Sequence, residues 1–185
     1  MSGDFGCIQY IMYRDMEKKV NLSEYELGEM PDCSRYKIGV ITAEWNGEIT
    51  QAMRDGAVRT LGDCGVRKIY EWKVPGTFEL SGAANMILEM HPDLDAVICI
   101  GCVIQGETRH FDFICEAVAN GLTEASIKHN RTVVFSVLTT NDMQQARERS
   151  GGRHGNKGVE GAVTALKMVA LQKGLFFMPK PTETR

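Results

Sequence analysis

Between residues 36 and 173, short apolar runs alternate with segments of helical periodicity, and this alternation limits the possible folds more than any other feature of the chain. Residues 38–42 read as a buried strand. Residues 47–64 follow with Ile49, Met53, Ala57, Val58 and Leu61 at helical spacing, and Gly62 and Gly65 mark the end of that helix. A second strand at 68–73 breaks at Pro75-Gly76, after which 77–90 is helical and stops before His91-Pro92. The strand 96–102 leads to a helix over 111–129, with Ile114, Val118, Leu122 and Ile127 on one stripe. Residues 133–138 form another apolar strand, and Asn141 or Asp142 can cap a short helix ending at Arg149. A glycine-rich joint at 150–158 then leads into a last helix over about 156–173.

Strands that are apolar throughout need cover on both faces, and parallel strands obtain it from the helices of right-handed crossovers. The expected fold is a flavodoxin-like three-layer αβα sandwich, with a mainly parallel, doubly covered sheet, over residues 36–174. A chain of 185 residues has room for one such domain and little more. Residues 1–35 lack a regular pattern and are expected to form an N-terminal arm, and 175–185 a C-terminal tail. Lys and Arg total 21 against 24 Asp and Glu, a net charge of -3, which argues against a protein that grips nucleic acid through its phosphates. The longest apolar run, 96–104, is broken by glycine and too short for a bilayer, and the chain does not open on a basic patch followed by a long apolar stretch. No membrane association is expected, and the expected location is the cytoplasm.

Six cysteines in a chain of this length are expected as reduced thiols, not as a disulfide scaffold. Cys99 and Cys102 match a CxxC spacing, but residues three apart on a strand face opposite sides. A zinc site would need a second ligand pair that the sequence does not clearly supply. No metal is expected.

In an open α/β sheet the ligand crevice lies beyond the carboxyl ends of the strands. Segments 44–46, 74–79, 103–113 and 135–141 are therefore expected at one edge, lining one pocket. The stretch Gly101-Cys102-Val103-Ile104-Gln105-Gly106 runs straight into Glu107-Thr108-Arg109-His110, a polar loop in the position where such folds carry chemistry. Trp45 and Phe135 either offer their faces to a planar heterocycle or pack in the core. Backbone groups around Thr77, Phe78, Val103 and Ile104 are placed to read the polar edges of such a ring. His110 either shuttles protons near neutral pH or is an ordinary first-turn residue. Glu79 either hydrogen-bonds a substrate or complements a helix dipole. Arg147, Arg149, Arg153, His154 and Lys157 cluster around Gly151-Gly152 and Gly155, just before a helix whose free N–H groups favour an anion. That cluster is either a phosphate site or a solvated basic turn. It is not a nucleotide P-loop, because Gly155-Asn156-Lys157-Gly158 lacks the Gly-Lys-Ser/Thr that places the lysine and holds magnesium.

Taken in order, these segments resemble the lumazine synthase family over about residues 37–171. The resemblance rests on Trp45-Asn46, Pro75-Gly76-Thr77-Phe78-Glu79, the stretch from Gly101 to His110, Phe135 with Leu138-Thr139-Thr140, and Glu148-Arg149-Ser150-Gly151 leading to Gly155-Asn156-Lys157-Gly158. It implies condensation of 5-amino-6-(D-ribitylamino)uracil with 3,4-dihydroxy-2-butanone 4-phosphate, without metal or organic cofactor. By the same resemblance Trp45 stacks on the pyrimidine, and Thr77, Phe78 and Glu79 meet it and its ribityl chain. Cys102, Val103, Ile104 and Phe135 complete that subsite. Glu107, Thr108 and Arg149 hold the phosphorylated ketone with help from Lys157, and His110 moves protons.

Relatives assemble as pentamers with active sites between subunits and an N-terminal segment added to a neighbour's sheet, and some form shells of sixty subunits. The short turn 151–155 resembles that of the shell formers, and riboflavin synthase is a partner the resemblance brings with it. Some positions depart from the family's usual pattern. Gln105 stands where many relatives have arginine, Cys102 replaces a common threonine, and Gly152-Arg153-His154 replaces a common Thr-Lys-Ala. Two other readings share parts of the pattern. One is a phosphosugar-binding αβα enzyme, which would not need Trp45 and Phe135 around a heterocycle. The other is a non-enzymatic flavin- or lumazine-binding or shell-forming relative, against which His110 and Arg149 speak together.

Overall fold

The computed structural model describes residues 21–174. Its main elements are Lys37–Ala43 (β1), Gly47–Asp63 (α1), Lys68–Val74 (β2), Leu80–Met90 (α2), Ala96–Ile104 (β3), His110–His129 (α3), Thr132–Thr140 (β4), Met143–Arg149 (α4), Ser150–Gly152 (β5), Gly155–Asn156 (β6) and Lys157–Gln172 (α5). Strands β1 to β4 form a parallel sheet in the order β2-β1-β3-β4. With helices on both faces this is the flavodoxin-like three-layer sandwich that the alternation predicts.

Each strand divides its side chains between two cores. Ile38, Val40, Ile98, Ile100 and Cys102 pack with α1 and α5, whereas Ile41, Val97 and Cys99 pack with α2 and α3. Cys99 and Cys102 therefore face opposite sides of the sheet, as their spacing on a strand requires. Complete burial of an Ile or Leu side chain contributes about 2 kcal/mol, and both faces of the sheet hold several. Asn130 ends α3 in the left-handed conformation (φ 47), a geometry asparagine tolerates better than most residues. No helix among the described residues is long and apolar enough to cross a membrane.

Some boundaries differ from the sequence reading. Thr77–Glu79 is a turn and the helix begins at Leu80, because the Thr77 side chain is engaged by Cys102 and its carbonyl accepts from Leu80 N–H (3.2 Å). Strands β3 and β4 run two residues past the ends read at 102 and 138, since their ladder continues through Val103–Thr139 and Ile104–Thr140. The glycine-rich joint contains the small antiparallel ribbon β5–β6.

Residues 21–35 lie against the chain's own domain. Ser23 Oγ donates to the Asn156 carbonyl (3.2 Å) and accepts from its N–H (3.0 Å), and Cys33 is buried in the core. Residues 1–20 and 175–185, and with them the neighbour contact expected of the arm, lie outside the described residues.

Candidate active site

The ends of β1, β2 and β3 open onto a cavity of about 770 Å³, lined by Trp45, Thr77, Phe78, Glu79, Cys102, Val103, Ile104 and His110, with Phe113 at its side. Trp45 is 72% and Phe78 55% exposed, so neither is a core residue. Both turn aromatic surface to the opening, where a planar ring can lie. His110 is the first residue of α3, and its N–H donates to Thr108 Oγ1 (3.4 Å). Glu79 precedes α2 without capping it, and its carboxylate is exposed in the cavity wall. Position 101 must be glycine here, because a Cβ would stand 2.7 Å from Thr77 Cγ2.

Cys102 lines the cavity, but its polar groups are already engaged. Its N–H donates to Thr77 Oγ1 (3.2 Å), and its carbonyl accepts from Asn46 Nδ2 (2.9 Å) and from Thr77 Oγ1 (3.4 Å). Both peptide groups of Cys102 thus have partners within the protein. By the alternation of a strand, the Ile104 peptide groups point to the same side as those of Cys102 and remain at the cavity. Burial pushes the Cys102 thiol up to about 11 and raises that of Cys99 further, and both side chains are almost wholly inaccessible. Iodoacetamide is expected to leave both unmodified in the folded protein at neutral pH. Mass spectrometry of the labelled peptide checks this, and rapid labelling of Cys102 would contradict the packing.

A second cavity, of about 680 Å³, wraps the edge of β4 and is lined by Asn21, Phe135, Thr139, Arg149, His154 and Lys157, among others. Its cations are not equivalent. Arg147 turns away to hold Glu48 through two contacts (2.8 and 3.1 Å), which raises the arginine and lowers the glutamate from their ordinary pKa values. Arg153 pairs with Glu148 (3.1 Å), and Lys157 with Glu160 (3.0 Å). Arg149 is exposed and has no ion pair among the described residues, which leaves its guanidinium free for an anionic ligand. The helix N-terminus expected to favour that anion is partly engaged by its own cap. Asn156 Oδ1 accepts from the N–H groups of Gly158 (2.8 Å) and Val159 (3.3 Å), which takes two first-turn donors away from an anion and puts more weight on side chains.

The sequence model of the 6,7-dimethyl-8-ribityllumazine synthase family matches residues 35–173. The chain belongs to this family. A lumazine synthase from Cytophaga hutchinsonii is 56% identical over 152 residues, which cover 81% of this chain and 94% of the relative. Those from Parabacteroides distasonis and Flavobacterium johnsoniae are 48% and 46% identical, covering 80% and 83% of this chain and 94% and 81% of the relatives.

In this lumazine synthase family member one chain does not bring all the expected site residues together. Trp45, Thr77, Phe78, Glu79, Cys102, Val103, Ile104 and His110 share the first cavity, while Phe135, Arg149 and Lys157 line the second. The single pocket expected from four strand ends is thus two. Phe135 is not at a strand end but opposite Cys99, well inside β4. Glu107 and Thr108 are exposed on the loop after β3 and line neither cavity. Sequence reasoning gave no role to Asn46 or Asn21, although Trp45-Asn46 belonged to the motif set.

Proposed function

We propose that this chain condenses 5-amino-6-(D-ribitylamino)uracil with 3,4-dihydroxy-2-butanone 4-phosphate to 6,7-dimethyl-8-ribityllumazine, releasing phosphate and water, with the reactants held between two copies of the chain. The family supports the reaction. The observation that carries the shared site is the separation of two half-sites, an aromatic cavity with His110 and an anion-ready cavity with Arg149. Phe135 lies in β4 and Arg149 at the end of the helix that follows it, and β4 is an edge of the sheet among the described residues. An uncovered strand edge is a natural seat for a neighbour. In a cyclic assembly the second cavity of one subunit then completes the first cavity of the next. The reading puts the enzyme in the cytoplasm as a pentamer or a sixty-subunit shell, with riboflavin synthase as a partner.

The amine of the pyrimidine attacks the ketone, the carbinolamine loses water to give an imine, phosphate is eliminated as a proton leaves the neighbouring carbon, and the second amine closes the ring on the carbonyl so formed with loss of a second water. Each step moves a proton, and His110 at the first-cavity wall is the group to move it. Trp45 stacks on the pyrimidine while Thr77, Phe78, Glu79, Val103 and Ile104 enclose it. Arg149 holds the phosphate in the ground state and as it departs, with Lys157 in support and Glu107 and Thr108 reaching the ketone from the loop.

Because alignment of two reactants supplies much of the acceleration, His110→Ala is expected to lower kcat by about tenfold, less than the roughly hundredfold or more that a general acid–base commonly contributes. The test is formation of lumazine absorbance from both substrates above the uncatalysed rate. A folded, assembled wild type that gives only background refutes the function, and an unchanged kcat in the variant refutes the role of His110.

A further inference from the structure

The side chain of Asn46 forgoes its usual task. It stands at the N-cap of α1, where an asparagine ordinarily accepts a hydrogen bond from the first-turn N–H groups, yet it makes no such bond. It also holds a left-handed backbone (φ 59, ψ 44), one of two such non-glycine residues among those described. The carboxamide instead reaches across to the Cys102 carbonyl on β3, 2.9 Å away. Backbone pairing between β1 and β3 stops at Thr42–Ile100, so this bond continues the contact one step beyond the ladder. It spans the point where the strand order reverses, the crevice in which open α/β sheets bind their ligands.

Two further bonds set the same corner. Glu44 N–H donates to Val74 O (2.8 Å) and Trp45 N–H to Pro75 O (3.1 Å), which tie the end of β1 to the end of β2. The Asn46 bond ties it to β3, and only there through a side chain. Trp45, which would form the stacking wall, and Ile104, whose peptide would read the ring edge, are thereby joined through one carboxamide and the Cys102 peptide.

We propose that Asn46 is a positioning residue for the heterocycle. By holding Cys102 across the crevice, it fixes the spacing between the Trp45 face and the Ile104 peptide at which a flat ring is both stacked and hydrogen-bonded. The inference rests on the assignment of the first cavity to the pyrimidine.

Asn46→Gly removes the carboxamide but accepts the left-handed backbone without strain. The expected result is a rise of about fivefold in KM for the ribitylaminouracil, the size of one net hydrogen bond, with KM for the butanone phosphate and the unfolding temperature nearly unchanged. Asn46→Asp also tolerates this backbone, but sets an acceptor against the Cys102 carbonyl, so its KM for the pyrimidine should rise further. Quenching of Trp45 fluorescence by the pyrimidine alone should give the same order of affinities without turnover. An unchanged pyrimidine KM in the glycine variant overturns the proposal. So does a parallel rise in both KM values with a lowered unfolding temperature, which would mark a general structural role, and so does an aspartate variant no worse than the glycine one. A wild type inert with both substrates removes the assigned reaction, and this proposal with it. An active wild type beside an unaffected glycine variant removes only the proposal.

Discussion

Arg149→Ala is expected to lose about a hundredfold in kcat/KM for the phosphorylated ketone, the equivalent of about 3 kcal/mol for a bidentate charge-assisted contact. KM for the pyrimidine should move little, since Arg149 does not line the cavity assigned to it. The size of the effect follows from how the local cations are divided. Arg147 and Arg153 are committed to Glu48 and Glu148, Lys157 is shared with Glu160, and Asn156 takes the N–H groups of Gly158 and Val159. His154 also lies near Glu148 (3.8 Å), so each neighbouring cation has a carboxylate beside it and can replace the guanidinium only in part. Arg149→Lys should recover only part of the loss, because an ammonium cannot make the two-pronged contact. If the site is shared between copies, co-refolding Arg149→Ala with His110→Ala should restore activity above either variant alone. Random mixing leaves about a quarter of the inter-subunit sites with neither lesion. No recovery from a properly assembled mixture would mean that both residues act within one chain.

Gly158→Ala should be the most damaging single-methyl change in the described fold. A Cβ at Gly158 would run into the backbone carbonyl of Met53 on α1, and backbone cannot move aside as a side-chain tip can. The expected cost is about 3 kcal/mol or more, a fall in unfolding temperature of about 10 °C for a chain of this size. Gly62→Ala is the contrasting control. Gly62 lies in α1 with nothing within 4 Å of its would-be Cβ, so alanine there should stabilise by up to about 1 kcal/mol through helix propensity. Thermal unfolding of the two variants beside wild type decides the matter, and similar curves for both would refute the close approach of α1 and α5.

The strands and helices were legible in the sequence because their burial is periodic. A strand covered on both faces, such as β3, must be apolar throughout, and an amphipathic helix such as α3 must show a stripe. The wall of Trp45, Thr77 and Val103 was legible for a related reason, since chain order alone delivers it to the same sheet edge. What escaped were pairings between distant residues. Arg147 looked like one more cation of the basic turn, and only the fold shows it joined to Glu48 on α1. Asn156 looked like part of a loop leading to free N–H groups, whereas its own side chain takes two of them. Phe135 was grouped with the strand-end segment 135–141, but the ladder runs from Thr132 to Thr140 and sets it opposite Cys99, inside the strand. Composition and periodicity report burial, and these side-chain choices depend on which partner the topology brings near.

The carboxamide of Asn156 has a consequence for how this protein can change over generations. It caps α5 and also donates to the Ala52 and Ser150 carbonyls (both 3.0 Å), so one side chain joins the start of α5 to α1 and to the turn that follows Arg149. A substitution there touches helix packing, turn geometry and the setting of Arg149 at once. Mutations that would retune the anion site through this residue therefore carry a stability penalty with them, whereas Arg153 and His154 on the exposed turn can vary with far less collateral effect. Lineages exploring new ligands at this edge of the fold have their freedom at the tip of the turn and little at its root.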